Sequence, residues 1–256
     1  MDRPRPRILI SNDDGINAAG LRCLEAIARQ LSDDVWVVAP ETNQSGAAHS
    51  LTLTRPLRVR RHGEQRFSVD GTPTDCVMVA LQRLVEGPKV DLVLSGINHG
   101  GNLGEDVTYS GTVAAAMEAT LFNVPAVALS QVCGDRQNIR WATAERFAPL
   151  VIKRLLGAPW PEDVLINVNF PDIEPEAVRG LRVATQGKRK IGDTLIERVD
   201  PRGEPYLWIG ALREDSEPGP GTDLAAIAEG CVAVTPIHLD LTHHASCTSL
   251  SALLED

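Results

Sequence analysis

Three short segments, residues 8–10, 35–39 and 92–94, are apolar throughout rather than alternating, and residues 125–130 and 164–168 read the same way. A strand with no polar face must be covered on both sides, which is the condition of a parallel sheet between helices. Helical patterns fall between these runs: Leu21, Leu24, Ile27 and Leu31 recur at helical spacing, as do Val77, Leu81 and Leu84. Thr72-Pro73-Thr74-Asp75 supplies a start signal for the second, with an N-cap Thr, Pro at the first helical position and a carboxylate at the third. Strand and helix in alternation require right-handed crossovers, so the expected fold is α/β, a Rossmann-like, doubly wound and mostly parallel sheet. In such a sheet, ligands bind beyond the carboxyl ends of the strands where the strand order reverses.

Two segments depart from that pattern. Residues 51–54 and 57–60 alternate with period two, which predicts a β-hairpin insertion attached to the sheet. After about residue 171, Pro and acidic residues increase, "REDSEPGPGTD" reads as an exposed loop, and residues 221–239 read as a short helix followed by the strand "CVAVTPIHL". The expected division is a Rossmann-like metal- and phosphate-binding core over residues 1–170. A C-terminal extension over 171–256 would serve oligomerisation, its last part returning to the core or to a partner subunit.

Composition excludes several classes of function. A net charge of −9 argues against a nucleic-acid polymer held on a broad basic face, but allows a small anionic substrate at a local positive site. The five cysteines are widely spaced, with no CxxC, and read as reduced thiols. No apolar run approaches the roughly 18 residues of a membrane span, and the opening residues do not resemble a signal peptide, so a cytoplasmic, membrane-free protein is expected.

The first apolar run leads directly into Asp13 and Asp14. Asn12-Asp13-Asp14-Gly15 is also good turn chemistry, and an Asp here would serve equally as a helix cap. The mutual repulsion of two adjacent carboxylates is relieved most simply by a shared cation. After the third run comes "SGINHGGNLGEDVTYSGTVAAAMEA", in which Gly96, Gly100, Gly101 and Gly104 allow close backbone approach and Asn98 and Asn102 offer neutral polar groups. Ser110-Gly111-Thr112 then opens an Ala-rich helix whose free N–H groups make a phosphate seat. The spacing is neither GxGxxG nor GxxxxGK[ST], so neither a dinucleotide motif nor a P-loop is supported. The loop "PETNQSGAAHS" after the second run brings Asn43, Ser45, Gly46 and His49 to the same sheet edge.

"SNDDG", "APETNQSGAAHSLTL", "GTPTDCV", "SGINHGGNLGEDVTYSGTVAAAMEA" and "GTDLAAIAEGCVAVTPIHLDLT" occur in this order. Together they closely resemble the SurE family of stationary-phase survival proteins, which are metal-dependent nucleotidases. The resemblance implies one divalent ion per subunit, Mg²⁺ or Mn²⁺, on Asp13, Asp14, Ser45 and Asn98. It implies hydrolysis of nucleoside 5′- and 3′-monophosphates, with polyphosphate as a further substrate, and a homodimer or homotetramer assembled through the C-terminal part. Asp13, Asp14, Asn102, Ser110 and His244 form the expected catalytic set, with His244 as leaving-group acid following the family pattern. Asn98, Gly101, Asn102, Ser110, Gly111 and Thr112 are expected to bind the phosphate. The rival reading from another class is a metal-dependent nucleotide-binding module without turnover. Lys188, Arg189 and Lys190 read as a solvated basic face, with anion binding as the alternative.

Overall fold

A computed structural model describes residues 5–135, 137–189, 195–209 and 218–255. In chain order the elements are β1 (Ile8–Ser11), α1 (Ala19–Leu31), β2 (Val35–Pro40), β3 (Val59–Arg61), β4 (Arg66–Val69), α2 (Pro73–Val79), β5 (Leu92–His99), α3 (Gly111–Leu121) and β6 (Ala126–Gln131). They continue with α4 (Trp141–Leu156), β7 (Val164–Phe170), β8 (Leu181–Val183), β9 (Leu195–Val199), β10 (Pro205–Ile209), α5 (Asp223–Ala228), β11 (Val232–His238) and α6 (His244–Leu254).

Among the described residues the main sheet has nine strands, in the order β3-β4-β2-β1-β5-β6-β7-β11-β8. All neighbours from β4 to β7 are parallel, while β3 on β4 and β11 on β7 are antiparallel and β8 returns parallel to β11. This is the α/β architecture expected. The chain steps outward from β1 to β2 and later re-enters on the other side of β1 at β5, so the order reverses between β1 and β5.

The apolar runs are continuous because both faces of the sheet are covered. Ile8, Ile10, Val35, Val37, Leu92 and Leu94 pack with Leu21, Leu24 and Ile27 of α1 and Val151 and Ile152 of α4. Leu9, Val38 and Val93 point the other way, onto Cys76 and Val77 of α2 and Val113, Ala116 and Ala119 of α3. Each fully buried aliphatic side chain contributes about 1.5–3 kcal/mol relative to exposure, so the centre of the sheet supplies a large share of the fold's hydrophobic stabilisation.

Thr72 caps α2 with a reciprocal capping box to Asp75, as its sequence predicts. The helix does not run on as α-helix to Leu84: it changes to a π-helical turn over Ala80–Leu84, closed by Val85 N–H on the Ala80 carbonyl at 3.0 Å. The hairpin is also shorter than expected. It comprises β3 and β4, and β4 extends the sheet beside β2, whereas residues 51–54 form no strand. There the Thr52 N–H and hydroxyl both donate to the Asp75 carboxylate, at 3.0 and 2.6 Å, and Leu53 stays 84% exposed, so the alternation buries nothing.

From the C-terminal segment, β8 and β11 continue the main sheet, while β9 and β10 form a separate antiparallel pair with Tyr206 opposite Arg198. Residues 213–217 of the loop read at "REDSEPGPGTD" lie outside the described residues, as does Lys190. No helix among the described residues is long and apolar enough to cross a membrane.

Candidate active site

The carboxyl ends of β1 and β5 meet at the reversal of strand order and open into a cleft of about 320 Å³. Its lining includes Asp13 and Asp14 after β1, Asn43, Ser45 and Gly46 after β2, and Asn98 to Asn102 at the end of β5. Asp106, Tyr109 and Ser110 complete it ahead of α3.

The turn after β1 is closed without either aspartate. Asn12 Nδ2 donates to the Gly15 carbonyl at 3.0 Å, its Oδ1 accepts from Gly15 N–H at 3.2 Å, and Gly15 takes φ +99°, where a side chain would be strained. The N-cap position of α1 is Ala18, with no side-chain cap. Asp13 and Asp14 are therefore not needed for the turn or for the next helix.

Asp13 is 4% exposed and accepts from the Thr112 hydroxyl at 2.5 Å. Burial pushes its carboxyl up to about 6; the Thr112 hydroxyl bond opposes this, the Asp14 charge adds to the rise, and backbone bonds, one of them from Thr112, lower it again. The first turn of α3 thus holds Asp13, and a side chain on Gly111 would come within 2.8 Å of the Asp13 Cβ. Asp14, half-buried, accepts from the His99 N–H at 3.2 Å and from Asn43 Nδ2 at 3.4 Å. Gln44 N–H donates to the Asp13 carbonyl at 2.7 Å, and Asn43 Oδ1 takes the Ser45 N–H at 2.8 Å, which fixes the β2 loop against the β1 loop.

A bulge in β5 presents Asn98. The register against β6 shifts between Ser95 and Asn98, and Gly96 sits at φ +131° with the Leu129 carbonyl oxygen only 2.2 Å from where a Cβ would be. Asn98 Nδ2 donates to the Gly100 carbonyl at 2.9 Å, which leaves its Oδ1 as the remaining acceptor. Asn102 is buried: its N–H donates to Asn169 Oδ1 at 2.8 Å, its carbonyl accepts from Asn167 and Asn169, and its Nδ2 donates to Ser130 Oγ at 2.8 Å. Ser110 caps α3, accepting from Val113 N–H at 3.1 Å.

Among the described residues no three His, Cys, Asp or Glu side chains form a metal cluster. With Asp106 taken by its ion pair to Arg189, the cleft offers the two carboxylates after β1 plus the oxygens of Ser45 and Asn98, an all-oxygen set that suits a hard dication of the Mg²⁺ or Mn²⁺ kind and not zinc. A cation there would also oppose the burial and like-charge effects that raise Asp13.

Of the residues expected from sequence, Asp13, Asp14, Ser45, Asn98, Gly101, Asn102 and Ser110 line this one cleft. Thr112 and Gly111 stand behind it, against Asp13. His244 does not reach it: the side chain is exposed at the start of α6 and pairs with Asp240 at 2.9 Å. Asp240 is lowered to about 2, chiefly by its hydrogen bonds to Thr242. His49 also turns away, to Glu118 at 2.9 Å. Arg189 is not part of a solvated face; its guanidinium is largely buried in an ion pair with Asp106. Sequence reasoning passed over Asp106, Tyr109 and the side chain of His99, although all three lie inside the segment it singled out. The signal available was their position between the end of a buried strand and the Ser110 cap.

Comparison with known proteins gives a consistent result. The family model "Survival protein SurE" matches residues 8–193. A protein of Paramagnetospirillum magneticum named 5′-nucleotidase SurE is 60% identical over 93% of this chain and 91% of its own length. One of the same name from Rhodospirillum rubrum is 57% identical over 94% and 93%. The crystal structure of the SurE protein from Aquifex aeolicus superposes with a TM-score of 0.85 at 41% identity, covering 97% of this chain and 99% of that one.

Proposed function

The chain belongs to the SurE family, and from that premise we propose that it is a divalent-metal-dependent phosphomonoesterase, a nucleotidase that converts nucleoside monophosphates to nucleoside and phosphate. The observation that carries this reading is the convergence of Asp13, Asp14, Ser45 and Asn98 on one cleft beside the N-terminus of α3. One Mg²⁺ or Mn²⁺ held by these four residues supplies Lewis-acid stabilisation of phosphoryl charge.

The chain's own groups do the rest. Asn98, Gly101 and Asn102 bind the phosphoryl oxygens, and the triple anchoring of Asn102 by Asn167, Asn169 and Ser130 keeps that wall from moving as charge develops. Ser110 and Gly111 offer the N–H groups left at the start of α3, behind which the helix dipole favours an anion. Thr112 holds Asp13, and His99 N–H holds Asp14, so the carboxylates can orient the attacking water. A site organised around the phosphate accepts 5′ and 3′ esters alike, and polyphosphate as a further class. His244 has no place in this assignment, because it lies outside the cleft of its own chain. Assembly into a dimer or tetramer through residues 171–256 is supported by the exposed apolar side chains of β9, β10 and α6.

The test is inorganic phosphate release from a panel of nucleoside 5′- and 3′-monophosphates and polyphosphate, with Mg²⁺, with Mn²⁺ and with EDTA. Release that requires the metal is expected. Nucleotide binding with no release under either metal would instead establish a binding module without turnover.

A further inference from the structure

Tyr109 is the residue immediately before the Ser110 cap, and it lines the cleft while 59% exposed. Its backbone is fixed from both sides: its N–H donates to the Asp106 carbonyl at 3.0 Å and its carbonyl accepts from Ala48 N–H at 3.3 Å. No ring contact involves it among the described residues, where Trp36 stacks on Phe67 and Tyr206 meets Trp208. Gly46, in the same lining, has open space where a side chain would stand, so the cleft mouth beside the ring is clear. Leaving an anchored aromatic ring open to water forgoes burial that the fold uses elsewhere.

We propose that Tyr109 is the stacking platform for the base of the nucleotide, and so the residue that separates nucleotides from other phosphomonoesters. This rests on the nucleotidase reading above. Consecutive Cα atoms are about 3.8 Å apart, so a phosphate seated at Ser110 leaves its sugar and base to run out over the neighbouring residue. Every base has a π-face, and stacking on an aromatic ring is therefore tolerant of base identity. A site with this platform prefers nucleotides as a class while ranking them weakly, purines above pyrimidines because of their larger face.

The experiment compares the native protein with Tyr109→Ala and Tyr109→Phe, on adenosine 5′-monophosphate and on ribose 5-phosphate, which lacks the base. The expected result is a KM about tenfold higher for the nucleotide in Tyr109→Ala, with kcat and the ribose 5-phosphate constants within about twofold of native, and recovery in Tyr109→Phe. Equal losses on both esters, or an unchanged nucleotide KM, would overturn the proposal. Calorimetric binding of the same two compounds reads the contact without turnover. A native protein that hydrolyses neither ester therefore defeats the nucleotidase reading, while the binding difference still decides the role of Tyr109.

Discussion

Around β1 and β5, Ile8, Leu9, Ile10, Leu92, Val93 and Leu94 are wholly buried, whereas in β10 and α6 Trp208 is 63%, Ile209 75% and Leu254 73% exposed. Both regions are regular secondary structure, yet only the first satisfies its apolar faces within the chain. The centre of the sheet gains its order from helices packed on both faces, and that order passes to the loops at its carboxyl end, where the Asp pair and the Asn98 to Asn102 segment must be held in place. The β9–β10 pair and α6 expose large apolar side chains that an isolated monomer gains nothing by presenting. The site is thus a property of one chain's core, while the extension leaves apolar surface that the assembly proposed above would cover.

The largest effect should come from the site itself. Asp14→Asn is expected to lower metal-dependent phosphate release about 1,000-fold while leaving the melting temperature near native, because Asp14 is half-buried and outside the sheet. If activity survives, the carboxylate pair is not the catalytic centre. Next, the core is broken by Gly20→Ala. A Cβ at Gly20 would stand 1.9 Å from the Ile97 carbonyl oxygen, forcing α1 away from β5 at a cost of about 3 kcal/mol, read as a fall in melting temperature. A shift of less than a degree would mean that α1 is not packed as described.

The extension should respond differently. Trp208→Ser combined with Leu253→Ser should move the assembly to a smaller species in sedimentation velocity, with the single chain's stability changed by only about 0.5 kcal/mol, since both side chains are exposed within it. A large loss of chain stability would place these residues in a core of their own chain. The smallest effect separates the same two regions by thiol chemistry. Cys247 on α6 is exposed, while burial, with Glu145 adding to it, pushes the Cys23 thiol up to about 12 and burial also raises Cys76. Alkylation near neutral pH should therefore modify Cys247 and reach Cys23 and Cys76 only on unfolding.

What was legible in the sequence follows the same division. Continuous apolar runs announce strands buried on both faces, and the polar residues just after them, Asp13, Asp14, Ser45 and Asn98, mark the sheet edge where a site belongs. Period-two alternation at residues 51–54 misled because Thr52 uses its backbone N–H on Asp75, a partner distant in sequence that local pattern cannot reveal. Arg189 looked solvated for a similar reason: Asp106, which neutralises it, stands in another loop. Tyr109 was hidden because an exposed aromatic is meaningful only once its neighbours are known to form a cleft. The β9–β10 pair and α6 gave little signal because their apolar residues are not arranged to be buried by the rest of the chain.

The most direct test of the account is Mn²⁺ binding to the native protein and to Asp14→Asn, followed by electron paramagnetic resonance of the free ion. The account predicts one Mn²⁺ per native chain and loss of that site in the variant, with the fold intact by circular dichroism. Unchanged Mn²⁺ binding in the variant would contradict the claim that the paired carboxylates after β1 exist to hold a cation.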